Sequence, residues 1–174
     1  KTFPNSDLVE DAEFKAANCS YLLSPNWSLD QTETKSAIQE LQLFMDRHSA
    51  STHRDSSQTM IDNLRKKLER KSFESANIYH KTGKFKSASI AMNNALKDFP
   101  DSPYREKLHF LIIDSHYQYA IQSTNRRKLE RFNDATQAFH IFATRFPDSS
   151  YHPDAQRIYE SCVKAVETLE SEEN

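Results

Sequence analysis

Glycine is almost absent from this sequence, which has one among 174 residues. Loops that place backbone N–H groups against nucleotide phosphates need several glycines, so enzymes that depend on such loops are excluded. The sequence also has no run of about 18 to 20 apolar residues, the length that a helix needs to cross a membrane, and no charged-then-apolar signal peptide at its start. One glycine, six prolines and 28% charged residues favour long helices with sharp corners over a sheet.

Cysteine is also scarce. Cys19 and Cys162 are far apart, and neither has the CxxC or Cys/His spacing that is typical of a metal site. Both lie among apolar neighbours on predicted helices, so we expect two small buried hydrophobic residues. A disulfide between them is the alternative.

Residues with catalytic chemistry do not form a recognisable site. Asp114, Ser115 and His116 are the residue types of a hydrolase triad, but consecutive residues on a helix point about 100° apart. His109 and His116 are seven residues apart, whereas a metal pair on one helix needs i, i+4 spacing and a third ligand. The sequence therefore predicts a protein that is not an enzyme, with no cofactor and no bound metal.

The strongest positive signal is a unit over residues 72–104 that predicts two helices and a closing turn. Tyr79 stands shortly before Gly83, which can take the left-handed conformation that ends a helix. The next residues with helical spacing, which line one side of a second helix, are Phe85, Ala88, Met92, Ala95, Leu96 and Phe99. Pro100 then stops that helix, because the residue before a proline avoids the helical region.

The same pattern recurs on both sides of this unit. Adding 47 to the positions gives Phe132, Ala135, Phe139, Phe142, Ala143 and Phe146, followed by Pro147. Subtracting 51 gives a worn copy: Thr34, Ala37, Leu41, Phe44, Met45 and His48. With Phe3-Pro4-Asn5-Ser6, four corners begin at residues 3, 48, 99 and 146. Similarity at such a period predicts a solenoid of stacked helix pairs.

The resulting prediction is an all-α solenoid of about three helix pairs and a C-terminal helix. Residues 1–174 form one repeat domain, with repeats over about 5–48, 52–99 and 103–146 and a terminal helix over 150–171. Helices are expected at about 6–23, 31–48, 57–81, 85–99 and 103–123, with a last repeat helix after a polar loop at 123–128. The predicted inner side of the first helix is formed by Leu8, Ala12, Phe14, Ala17, Cys19, Tyr21 and Leu22. That of the third helix is formed by Ile61, Leu64, Leu68, Phe73, Ala76 and Tyr79, and that of the fifth by Leu108, Leu111, Ile112, Ser115, Tyr119 and Ala120. Because residue 1 falls in a closing turn, we expect the chain to be cut from a longer precursor.

Positive charge is concentrated in the middle of the chain. Residues 61–131 carry a net charge of +7, between segments at −4 and −5. The candidates for binding a partner are Arg65, Lys66, Arg70, Lys71, Lys81 and Lys84. They form either a solvated helix face or a surface that steers an acidic protein. Nucleic acid is not expected, because glycine-aromatic RNA-binding patterning is missing and the pI is about 6.4.

Trp27 lies in the predicted loop 24–30 between the first two helices. It is either a lid over the end of that helix pair or an anchor for a partner, since exposed tryptophans are favoured anchors.

The helix-pair unit resembles the tetratricopeptide repeat, in which a helix with small-x3-aromatic spacing is followed by a closing proline. Here the spacing of 45 to 51 residues exceeds the usual 34 or so. The whole chain is similar to the BamD family of outer-membrane β-barrel assembly lipoproteins. The stretches that carry the likeness are residues 3–6 and 11–14, 23–25, 29–31, 37–41, 95–100, 104–106 and 146–149.

The resemblance implies a non-enzymatic scaffold at the periplasmic face of the bacterial outer membrane. Its lipid anchor and about two repeats would precede this chain. Its partners would be proteins: the last POTRA domain of a BamA-like barrel subunit, other lipoproteins of the machinery and unfolded barrel proteins. The alternative is another tetratricopeptide adaptor that binds an extended peptide in a concave groove.

Overall fold

The computed structural model describes the backbone of residues 7–173 and the side chains of residues 8–171. Within this part of the chain all regular structure is helical and no strand is present. The helices are α1 (Asp7–Leu23), α2 (Thr32–Arg47), α3 (Arg54–Lys81), α4 (Phe85–Asp98), α5 (Arg105–Ile121), α6 (Asn125–Arg145) and α7 (His152–Glu173). The predicted all-α class, built from tetratricopeptide-like helix hairpins, is confirmed.

The chain divides into two compact units, Lys1–Lys71 and Ser72–Asn174, and the division falls inside α3. In the first unit α1 and α2 form a hairpin. Its buried core joins α1, α2 and the first part of α3 through Ala17, Ala37, Leu41, Ile61 and Leu64. The assignment of residues 1–174 to one domain stays a prediction.

In the second unit α4, α5, α6 and α7 each pack against the next helix, and α5 also contacts α7; the end of α3 packs against α4 and α5. Three buried clusters follow one another along this unit. The first joins α3, α4 and α5, and the second and third each join α5, α6 and α7. Ile113 on α5 is fully buried although the sequence stripe omitted it, because α6 and α7 cover a second side of this helix. Contact from one hairpin to the helix after it is the packing of a repeat array.

The repeat register predicted from the sequence is reproduced in the second helix of each pair. Equivalent positions on α2, α4 and α6 are at most 6% exposed. They are Ala37, Ala88 and Ala135; Leu41, Met92 and Phe139; and Phe44, Ala95 and Phe142. At the first position of the pattern Phe132 is buried while Phe85 is half-buried. Each of these helices lies between two others, and both neighbours cover its apolar side.

The three corners inside the described chain end their helices in the same way. His48, Phe99 and Phe146 have φ between −120° and −135° and ψ between 62° and 70°. Each donates its N–H to the carbonyl four residues earlier, at 2.8–3.0 Å. The worn corner at His48 therefore has the geometry of the corners that continue into Pro100 and Pro147. The fourth corner, Phe3-Pro4-Asn5-Ser6, lies outside the described residues.

A serine three residues further on completes each corner. Ser51, Ser102 and Ser149 donate their N–H to the carbonyl of the helix-ending residue at 3.0–3.2 Å. Their hydroxyl oxygens accept the N–H two residues later at 3.0–3.2 Å. A hydroxyl that satisfies a local N–H favours a tight turn, so the serine makes the corner even where proline is missing.

An aromatic stack ties each corner to the preceding first helix of a pair. The ring two residues after the serine lies flat on a phenylalanine, with interplanar angles of 7° to 17°. The pairs are Phe14 with His53, Phe73 with Tyr104, and Phe110 with Tyr151, at centroid distances of 4.0, 4.5 and 5.0 Å. Stacked rings of this kind contribute about 0.5–1.5 kcal/mol beyond the area they bury.

Gly83 has the predicted left-handed conformation, with φ of 74°. The placement of Tyr79 on the inner stripe is wrong, because its side chain is 41% exposed. The inward position one turn after Ala76 is His80, which lies 2.7 Å from Asp114 of α5. Tyr79 contributes its carbonyl, which accepts the N–H of Lys84 at 2.8 Å and closes the helix.

Two further expectations from the sequence are corrected. Leu8 and Leu22 are exposed, because the side of α1 that packs against its neighbours is narrower than the predicted face and centres on Ala17 and Tyr21. The polar segment 123–128 is mostly helix, since α6 begins at Asn125.

The two cysteines differ. Cys162 is buried between α5, α6 and α7 as predicted, and burial raises the pKa of its thiol to about 12. Cys19 is exposed, so its predicted burial is wrong, and both thiols are free.

The corner serines predict a local stability effect. Ser102→Ala should lower the free energy of unfolding by about 1 kcal/mol, because the N–H of Tyr104 loses its acceptor. Denaturant unfolding measures the change. Ser87→Ala, on the exposed side of α4, should stay within about 0.5 kcal/mol. Equal losses in both variants would contradict the assignment.

Thiol reactivity should separate the cysteines. We expect Cys19 to react rapidly with an aromatic disulfide reagent, because its side chain is exposed. Cys162 should react only on unfolding, because burial keeps its thiol protonated and the thiolate is the nucleophile. Cys19→Ser should remove the rapid phase and Cys162→Ser should keep it. A rapid phase that survives Cys19→Ser would be the contrary result.

Candidate functional site

The basic run of α3 is the surface that the sequence singled out. Arg65, Lys66 and Arg70 are exposed and Lys71 is half-buried, all within the first unit. Lys81 and Lys84 are exposed in the second unit. The structure gives these cations two different environments, which depend on the loop that joins α1 to α2.

That loop is organised by one buried amide. Gln31 is 4% exposed, and its Nε2 donates to the carbonyls of Asn26, Leu29 and Asp30 at 2.8, 2.9 and 3.2 Å. The hydroxyl of Thr34 donates to its Oε1 at 2.8 Å. Carbonyl groups that have no helical partner thus converge on Gln31, and the loop folds against the start of α2.

Lysines of α3 hold the same loop from the other side. Lys67 Nζ donates to the carbonyl of Ser24 at 3.2 Å and to its hydroxyl at 2.7 Å. Lys71 Nζ donates to the carbonyl of Leu29 at 2.5 Å. Hydrogen bonds from a charged donor are stronger than neutral ones, so these two lysines fix both ends of the loop.

Trp27 of the same loop packs against Arg70 of α3. The guanidinium carbon of Arg70 lies 4.5 Å from the centre of the indole ring, a cation–π contact that contributes about 0.5–1 kcal/mol at an exposed site. Trp27 is half-buried, which favours the interpretation as a lid over that of a free anchor.

The loop ends in a charged residue, Asp30, just before α2. Asp30 Oδ1 accepts the N–H of Thr32 at 2.9 Å at the start of α2. Hydrogen bonds from the side chain and the backbone of Thr32, together with the charge of Lys71, lower the pKa of Asp30. Its carboxylate therefore stays charged where the helix dipole favours negative charge.

The six predicted cations consequently divide into two groups. Arg70 and Lys71 contact the α1–α2 loop. The exposed cations Arg65, Lys66, Lys81 and Lys84 have no carboxylate oxygen within 4 Å among the described side chains. Lys67 was missing from the prediction. Its spacing of three and four residues from Arg70 and Lys71 was the available signal, because residues at that spacing share a helix side.

The triad-like residues do not act together. Asp114 pairs with His80, and burial lowers the pKa of His116. Ser115 is fully buried, and its hydroxyl has no hydrogen-bond partner. Among the described residues no three His, Cys, Asp or Glu side chains come together as metal ligands. No helix in the same part of the chain has the length and apolar character to cross a membrane.

Comparison with known families finds a matching family model. The family model described as YfiO, outer membrane lipoprotein, matches residues 1–131. The matched segment contains the α1–α2 loop and all six predicted cations. No curated protein matches the chain.

The loop contacts predict an effect of Lys67. Lys67→Met should lower the free energy of unfolding by about 1.5 kcal/mol, because two charged hydrogen bonds to Ser24 are lost. Trp27 is the one tryptophan, so its fluorescence reports on the loop, and its emission should shift to the red. Lys66→Met, one residue away and exposed, should leave both quantities unchanged. A red shift in the control alone would refute the assignment.

Proposed function

Since the chain belongs to the YfiO family of outer membrane lipoproteins, we propose that it is a non-enzymatic scaffold of the machinery that assembles β-barrel proteins in the outer membrane. It works at the periplasmic face and docks the periplasmic domain of a BamA-like barrel subunit. The family match carries this proposal. The hairpin fold supports it, because stacked helices present extended side-chain surfaces to other proteins.

Two groups of basic residues, one in each unit, are the candidates for docking the partner. Arg65 and Lys66 in the first unit, and Lys81 and Lys84 in the second, are exposed without carboxylate partners among the described side chains. Arg70 and Lys71 contact the α1–α2 loop, so we assign them to holding that loop and the other four cations to docking. Cations without partners attract an acidic protein and set its orientation.

The experiment is capture of the periplasmic domain of a BamA-like subunit by the purified chain. The double reversals Arg65→Glu/Lys66→Glu and Lys81→Glu/Lys84→Glu should each weaken binding at least tenfold, because like charges then face the partner. Raising the salt concentration should weaken binding of the unmodified chain in the same direction.

The matched control is Lys35→Glu/Lys164→Glu, which reverses two exposed lysines outside the basic run. It should leave binding within twofold. If the control weakens binding as much as the two reversals, net charge and not these four residues governs capture. If no variant binds differently and an extended peptide competes, the chain is a peptide-binding adaptor instead.

A further inference from the structure

A cavity of about 250 Å³ opens in the second unit, between the corner after α4, the start of α5 and the end of α6. Its lining residues are Leu96, Pro100, Arg105, His109, Arg145 and Phe146. The family match ends at residue 131, so Arg145 and Phe146 lie beyond it. None of the six belongs to the basic group of α3.

The polar half of the lining is positively charged. Arg105 and His109 are one turn apart on α5, and Arg145 is the last residue of α6. Arg145 Nη1 lies 3.4 Å from His109 Nε2, so the guanidinium donates to a neutral ring. Burial, and next the charges of Arg145 and Arg105, lower the pKa of His109 to about 4. At neutral pH the cavity therefore holds two positive charges and one uncharged ring.

No described acidic side chain lies close to those charges. Among the described side chains neither guanidinium has a carboxylate oxygen within 4 Å. The neighbouring carboxylate, Glu106, accepts a hydrogen bond from Ser149 of the next corner. Arg105 instead lies over the Phe146 ring, 5.7 Å from its centre.

The helix dipoles favour the position of Arg145 but not that of Arg105. Arg145 stands at the C-terminus of α6, where a cation is favourable. Arg105 is the first residue of α5, where the dipole is positive and a cation is unfavourable. Arg105 is therefore an exposed cation that its own helix end does not favour.

The geometry points to a socket for one Asp or Glu side chain of an acidic protein partner. Two guanidinium groups match the two oxygens of a carboxylate. Leu96, Pro100 and Phe146 form an apolar wall for the short stem of that side chain, and the volume is below the roughly 300–1,000 Å³ of pockets for larger ligands. The identity of the partner rests on the proposed function, but binding of the carboxylate does not.

The test uses the whole 174-residue chain and a small probe, the peptide acetyl-Gly-Glu-Gly-amide. Nuclear magnetic resonance of the His109 ring should show a saturable shift with this peptide, and none with the same peptide carrying Gln. Arg105→Gln and Arg145→Gln should each weaken binding about tenfold or more, since a charged hydrogen bond contributes about 1.5–3 kcal/mol. Arg145→Lys keeps the charge but loses the paired N–H donors of the guanidinium, so it should give an intermediate loss.

Lys97→Gln is the matched control, because it removes one exposed cation from the last turn of α4 without touching the lining. It should change binding less than twofold. Backbone amide signals away from the cavity establish that each variant is folded.

Any of three results with the peptides would overturn the socket: no shift of the His109 ring up to about 50 mM Glu peptide, equal shifts with the Gln peptide, or equal weakening by Lys97→Gln. Tighter binding of inorganic phosphate than of the Glu peptide would overturn it in favour of a phosphate site. Capture of the periplasmic domain is tested with residues outside the cavity, so either proposal can fail while the other stands.

Discussion

A helix hairpin of this kind cannot cover its own apolar side, and that constraint determines the packing within each unit. The second helices of the pairs, α2, α4 and α6, bury the same positions because each lies between two other helices. α5 is buried on more than one side for the same reason. Cores of this type are built repeat by repeat, so the register of one corner decides which residues of the next helix are covered.

The corners keep that register by two local interactions. A serine hydroxyl satisfies an N–H that the helix end leaves open, and a ring two residues later stacks on the preceding first helix. The corner at His48 shows which part is essential: it lacks the Phe-Pro pair but keeps Ser51 and its stacked ring, His53. Proline stops a helix, whereas the hydroxyl and the stacked ring set the direction of the chain after it.

In the first unit, three of the positive charges of α3 stabilise the fold. Lys67 and Lys71 donate hydrogen bonds to carbonyls of the α1–α2 loop, and the guanidinium of Arg70 lies over the Trp27 ring. The stretches Leu23-Ser24-Pro25 and Leu29-Asp30-Gln31, which carry part of the family likeness, thereby gain a physical role as the loop that these side chains hold. In the second unit the arginines at the corner cavity have no carboxylate oxygen within 4 Å among the described side chains, and the proposed carboxylate socket is argued from that.

The sequence by itself determined the helices, their corners and the buried side of α2, α4 and α6, because helical period and turn chemistry are local. It misplaced Tyr79, Leu8 and Cys19, since the covered side at a helix end depends on which neighbour packs there. It also could not assign Lys67, whose acceptor on Ser24 lies 43 residues away. Only the tertiary structure brought the ammonium group to the Ser24 carbonyl, and so separated the basic residues that contact the loop from those that do not.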